Sequence, residues 1–116
     1  FPAMARYCCS YFVGISPHQT GFLYDDILSL GEFEIIKRRT DVLLLSEVPN
    51  DAFFPQLVKV ELFIHPPTSS ELQIDLLVKN HELPLRTNNR CRRFFESIHQ
   101  IITNNYQGQS LTRITA

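Results

Sequence analysis

The side chains best suited to metal or nucleophilic chemistry are four histidines and three cysteines, and their spacing favours neither kind of site. A zinc-binding helix needs two histidines four residues apart with an acidic residue nearby, and no two histidines here are so placed. The cysteines have no Cys-x-x-Cys or Cys–His spacing. We therefore expect no metal, no cofactor and reduced thiols, as in a cytoplasmic protein. These residues are His18, His65, His81, His99, Cys8, Cys9 and Cys91.

Cys91 has two interpretations, because it lies near the predicted start of the last helix. The helix dipole and nearby arginines would lower its pKa and make the thiol reactive. However, Cys91 also falls on the apolar stripe of that helix, where a buried cysteine acts as a small hydrophobe.

A dense basic cluster, Arg86, Arg90, Arg92 and Arg93, lies at the start of the same helix. Helical spacing aligns Arg86, Arg90 and Arg93 on one side. Together with Lys79, these three arginines form a candidate site for an anion: a phosphate, an acidic segment of a partner or a nucleic-acid backbone. The alternative is a set of surface ion pairs with neighbouring glutamates, which stabilise a protein little.

No nucleophile, base and orienting group can be assembled from the sequence. The serines lack a Gly-x-Ser-x-Gly context, and the four glycines are not clustered into a phosphate-binding loop. The carboxylates at positions 25–26 and 32 and 34 are typical of helix ends and strand edges, not of a catalytic pair. The sequence therefore predicts a protein that is not an enzyme.

Length and charge limit the remaining classes. A chain of 116 residues with a formal net charge of −1 fits one domain and has no overall field that attracts nucleic acid or anionic membrane. No apolar run approaches the roughly 20 residues of a membrane-spanning helix, and no signal peptide is visible. Met4 is typical of a native start, so residues 1–3 are interpreted as a cloning remnant. Residues 4–106 are predicted to form one α+β domain, and 107–116 a flexible tail.

The segment 88–106 predicts the longest helix, because its apolar residues recur at three- and four-residue intervals. Asn88 or Thr87 is the predicted cap at its start. The apolar side of this helix needs a surface to cover it, and two alternating segments before it, 57–64 and 72–78, supply half-buried strands.

The other elements follow in chain order: a strand at 7–15, a short helix at 21–30, and strands at 34–39 and 42–48. The predicted fold is therefore α+β, with an antiparallel sheet of about five strands in the order β-α-β-β-β-β-α that grips the long C-terminal helix. Both helices are expected on one face of the sheet. This order resembles the TATA-box-binding-protein-like, or helix-grip, arrangement, and such folds host unrelated functions.

Three segments carry a second resemblance: 4–11, the linker 77–85 with its Val-Lys-Asn and Glu-Leu-Pro-Leu, and the helix start 89–95 with Asn-Arg-Cys-Arg. These segments resemble a family of small uncharacterised cyanobacterial proteins, across nearly the whole chain. The resemblance implies a cytoplasmic or thylakoid-associated protein and a role related to photosynthesis. It implies no catalytic residues.

Two functional hypotheses follow. The first is a non-catalytic accessory or regulatory module that binds a protein partner. The second is a carrier that holds a small apolar ligand between the sheet and the long helix, in a pocket lined by Tyr11, Phe63, Phe94 and Phe95. Nucleic-acid binding is not expected, since no exposed aromatic strand of the RNA-recognition type is present. A homodimer through an edge strand is compatible with the sequence.

Overall fold

A computed structural model describes residues 5–49, 57–65, 71–81 and 89–115. In chain order its elements are strand β1 (Ala5–Val13), helix α1 (Thr20–Leu28), strands β2 (Phe33–Arg38), β3 (Val42–Glu47), β4 (Lys59–Ile64) and β5 (Leu72–Asn80), helix α2 (Arg90–Gln100) and strand β6 (Gln109–Thr115). A 3-10 turn, Pro17–Gln19, precedes α1, and a π-helical turn, Ile101–Asn105, follows α2.

The strands form one antiparallel sheet in the spatial order β2-β3-β4-β5-β1-β6. Strands β2 to β5 lie side by side in the order in which they follow in the sequence. Strand β1, the first of the chain, lies next to β5. The predicted α+β class and the antiparallel sheet with a C-terminal helix are confirmed.

Both helices cover the same face of the sheet. Leu23 and Ile27 of α1 and Phe95 and Ile98 of α2 are completely buried in one apolar cluster with the inward side chains of β1, β3, β4 and β5. The Tyr106 hydroxyl donates to Asp26 Oδ2 at 2.6 Å and so connects the segment after α2 to α1. The alternation of apolar and polar residues along β4 and β5 gives each strand one buried side.

The last helix differs in detail from the prediction. Its cap is Asn89, whose side chain accepts a hydrogen bond from the Arg92 backbone N–H at 2.6 Å, while Thr87 and Asn88 lie outside the described residues. The regular α-helix ends at Gln100 and widens into the π-helical turn. The Thr103 hydroxyl donates to the His99 carbonyl at 2.9 Å, a local bond that competes with regular helical bonding.

The C-terminal segment also differs from the predicted flexible tail, because residues 109–115 form β6 along the outer side of β1. Strand pairing is made by backbone groups, so a polar segment without apolar alternation can still join an available edge. The predicted cloning remnant at positions 1–3 lies outside the described residues.

Candidate functional site

An ion pair holds the start of α2 on the sheet. Glu47 ends β3 on the helix-covered face, where only 5% of its side chain is exposed. Its carboxylate accepts bonds from Arg90 Nε at 2.9 and 3.0 Å and from the Val58 backbone N–H at 3.1 Å, and Arg90 Nη2 also donates to it. Since a buried carboxylate needs such partners, the main role of Arg90 is to neutralise Glu47.

Arg90 and Arg93 nevertheless line one shallow groove, together with Leu30, Phe94 and Ser97, with a volume of about 290 Å³. The Arg90 guanidinium lies 5.4 Å from the centre of the Phe94 ring, and Arg93 is exposed. Two members of the predicted basic cluster are therefore brought together, but Glu47 already neutralises one of them.

A third member of that predicted anion site, Lys79, is separate from this groove. Arg86 lies outside the described residues. Lys79 projects from the opposite face of the sheet, where its Nζ is 2.8 Å from Glu61 Oε2. The prediction missed this separation because Lys79 lies on β5 with the parity of the uncovered side, whereas α2 packs on the other side.

The predicted apolar pocket is not assembled by its four residues. Tyr11 and Phe95 are fully buried in the core, and the Tyr11 hydroxyl is 2.7 Å from His99 Nδ1. Phe94 lies in the outer groove of α2. Phe63 is 42% exposed on the uncovered face, because it alternates with the buried Leu62 and Ile64 along β4. A ligand held between sheet and helix cannot contact all four side chains.

Of the two interpretations of Cys91, the structure agrees with a core residue. It is completely buried, and its Sγ lies 3.8 Å from the Ala5 carbonyl oxygen. Cys8, in contrast, is half-buried on the uncovered face of β1.

We call the uncovered face of the sheet the open face. Exposed aromatic residues and charged residues lie side by side on it. No helix of the described part of the chain lies on it. Its large aromatic residues, Phe12 and Phe63, are 38% and 42% exposed. The half-buried or buried apolar residues beside them on this face are Cys8, Val42, Leu44 and Leu77.

Three basic residues form a row across the open face. Lys79 of β5 is directly opposite Arg6 of β1 on one side and Lys59 of β4 on the other. Adjacent strands are about 4.8 Å apart, so the three Cα atoms span about 10 Å. Only Glu61 pairs with this row among the described residues, and it pairs with Lys79. Arg6 and Lys59 are exposed and have no partner in the described part of the chain. We call these three residues the basic row.

A groove of about 340 Å³ opens beside the basic row, over strands β3 and β4. Its floor is apolar and its rim is charged. The outward side chains that line it are Ile36, Leu44, Ser46, Lys59, Glu61 and Lys79.

The carboxylate of Asp75 occupies the other part of the open face, four residues along β5 from Lys79. Ser10 Oγ donates to Asp75 Oδ1 at 2.7 Å, and His65 Nε2 lies 2.6 Å from Asp75 Oδ2. Burial raises the pKa of the Asp75 carboxyl, but these hydrogen bonds and the charge of His65 outweigh it, so the pKa lies below its ordinary value of 3.8. Asp75 therefore lies between Ser10 and His65, so the serine contacts the carboxylate and not the imidazole, unlike the order of a Ser-His-Asp triad.

Sequence reasoning missed Arg6 and Lys59, which are far apart in the chain and belong to no local cluster. The signal that could have found them is strand register: antiparallel pairing of β1, β5 and β4 places them opposite Lys79. That register depends on which strands pair, and the pairing of β1 with β5 is a long-range contact.

The described residues contain neither a candidate metal site nor a candidate membrane-spanning helix. In the described ranges, no group of three histidine, cysteine or acidic side chains is arranged to hold a metal ion. Within the same part of the chain, no helix has both the length and the apolar character that crossing a lipid bilayer requires.

No protein-family model matches this chain, and a search of curated proteins finds no match either. The cyanobacterial family therefore stays a prediction from three short segments.

Proposed function

We propose that the protein is a non-catalytic accessory or regulatory module that binds a protein partner through its open face. The observation that carries this proposal is the exposure of Phe12 and Phe63 on a sheet face that no described helix covers. Aromatic side chains contribute a large part of the energy of protein interfaces, because each buries a large area on binding.

Three features of the face support a protein partner. Half-buried Leu44, Leu77 and Cys8 lie in the neighbouring row of the open face, beside the exposed aromatic residues, and extend the apolar area. Ser10, Asp75 and Gln73 add polar groups that are already hydrogen-bonded to one another, so they need no partner to replace lost water. Arg6, Lys79 and Lys59 border the apolar row on its other side, and charged residues at the edge of an apolar area are typical of protein interfaces.

A photo-crosslinking experiment tests this proposal. Benzoylphenylalanine replaces Phe63 in the full chain, expressed in cyanobacterial cells, the host that the resemblance implies. We expect covalent adducts with a partner protein on illumination, and fewer adducts when Phe12→Ser is added on the same face.

The matched control places benzoylphenylalanine at Phe22, which is 67% exposed on α1. Adducts at Phe63 and none at Phe22 support the proposal. Equal adducts at both positions, or none at Phe63, contradict a binding surface on the open face.

A further inference from the structure

We propose that the basic row binds an acidic, partly apolar segment of the partner protein, with its carboxylates at Arg6 and Lys59 and an apolar side chain in the adjacent groove. This inference rests on the proposed function and adds the chemistry of the partner.

Like charges lie side by side on neighbouring strands in the basic row. Basic residues directly opposite each other on neighbouring strands repel and cost stability. Here Arg6, Lys79 and Lys59 are consecutive across three strands, and Glu61 is the single carboxylate of the described residues that pairs with them. An anionic ligand would reduce this repulsion, because it supplies carboxylates that the described part of the fold does not.

The groove beside the row combines an apolar floor with a charged rim. Ile36, which is 58% exposed, and half-buried Leu44 give it an apolar floor, while Lys59 and Lys79 give it a cationic rim. A segment with one apolar side chain next to acidic residues matches both parts at once. Its apolar side chain would also cover Ile36, which water surrounds in the free protein.

The charge pattern along β5 favours a protein segment over nucleic acid. Asp75 lies four residues from Lys79 on the same face, or about 13 Å along the strand. A phosphate backbone that followed the face away from the row would meet this carboxylate, whereas a peptide can place an apolar or hydroxyl side chain there. Base stacking needs aromatic rings, and the exposed rings of this face, Phe12 and Phe63, lie at the Asp75 end, whereas the groove beside the row has an aliphatic floor.

The test uses peptides selected from a random library on the immobilised full-length chain. We expect recovered peptides to be rich in aspartate or glutamate beside leucine, isoleucine or phenylalanine. The double variant Arg6→Gln/Lys59→Gln should bind them about fivefold more weakly, since two exposed charge pairs are lost. It should also lose most of the salt dependence that the wild-type chain shows.

The matched control is Arg39→Gln/Arg92→Gln, which removes two exposed arginines outside the row, one after β2 and one on α2, and changes net charge equally. It should bind like the wild type. Unfolding by urea gives an independent readout: Arg6→Gln/Lys59→Gln should be at least as stable as the wild type, because repulsion in the row is relieved.

The outcomes separate this inference from the proposed function. Peptides that need Phe12 and Phe63 but tolerate Arg6→Gln/Lys59→Gln would overturn the acidic segment and leave the protein-binding face intact. Peptides that need the basic row and tolerate loss of both phenylalanines would support the row and contradict the aromatic face. An oligonucleotide that binds as tightly, with the same dependence on Arg6 and Lys59, would overturn a protein segment as the ligand.

Discussion

Glu47 is the residue on which the attachment of α2 to the sheet depends most directly. It is buried at the end of β3, and it connects β3, the backbone just before β4 and the first residue of α2 through a single carboxylate. Removing its charge takes the Glu47 counter-ion away from the Arg90 guanidinium, whose side chain is 34% exposed.

Glu47→Gln should therefore lower the free energy of unfolding by about 2 kcal/mol. The side-chain size is kept, so the loss reports the ion pair and not a cavity. Urea denaturation measures the change. Glu34→Gln, an exposed glutamate on β2, is the control and should change stability by less than about 0.5 kcal/mol. Equal effects of the two substitutions would contradict a structural role for the Glu47–Arg90 pair.

Asp75 gives the protein a specific sensitivity to acid. Its folded-state pKa lies below the unfolded value, so the contribution to stability is fully present at neutral pH and is lost as the pH falls below about 4. Asp75→Asn should remove this part of the acid dependence and flatten the curve of stability against pH in that range. Urea midpoints measured across the acid range check it. An unchanged curve would show that the Ser10 and His65 contacts do not stabilise the charged form.

At the scale of elements, the connection from α2 to β6 depends on Gly108. Its backbone N–H donates to the Ile102 carbonyl at 2.9 Å, which closes the end of the helical segment. A Cβ at this position would lie 2.6 Å from Ile102 Cγ2 and 3.1 Å from the Ile102 carbonyl oxygen. Ile102 is fully buried, so it cannot move aside without disturbing the core.

We expect Gly108→Ala to displace β6 from β1 and to cost about 1–3 kcal/mol. Hydrogen exchange should become faster at the β1 amides that face β6, while the amides that face β5 stay protected. Gly14→Ala is the control, because a Cβ there meets nothing within 4 Å. If both variants exchange alike, the turn at Gly108 does not hold β6 in place.

At the scale of the whole molecule, one face of the sheet is covered and the other is available for binding. An antiparallel sheet with one solvated face is ordinary, and exposed serine or threonine would be typical there. The open face departs from that pattern through its aromatic residues and its basic row. Because the net charge of the chain is only −1, the row is a local feature and not part of a general positive field.

The outer strand β2 is poorly suited to pairing with a second copy of the chain. Its register against β3 shifts between Ile35 and Lys37, and it carries the charged Lys37 and Arg38. Bulges and charges on an edge strand oppose pairing with another strand. The homodimer that the sequence allows therefore stays a prediction without support from this edge.

The sequence by itself determined the first five strands and the two helices, but not β6, because apolar periodicity reports locally on which side of a helix or strand is buried and residues 109–115 lack it. Residues 57–64 and 72–78 are predicted as strands with one buried side, and β4 and β5 have that pattern. The sequence also identifies Arg90 and Arg93 as neighbours on α2. These properties depend on spacings of two to four residues within one element.

Only the tertiary structure decided which residues share a surface. The pairing of β1 with β5 places Arg6 opposite Lys79, and the packing of both helices on one side of the sheet leaves Phe63 on the uncovered side, away from Phe95. The tertiary structure also joins Glu47 to Arg90, which lie 43 residues apart in the chain. These contacts depend on strand pairing and on the choice of face between segments far apart in the chain, and local spacing carries no information about either.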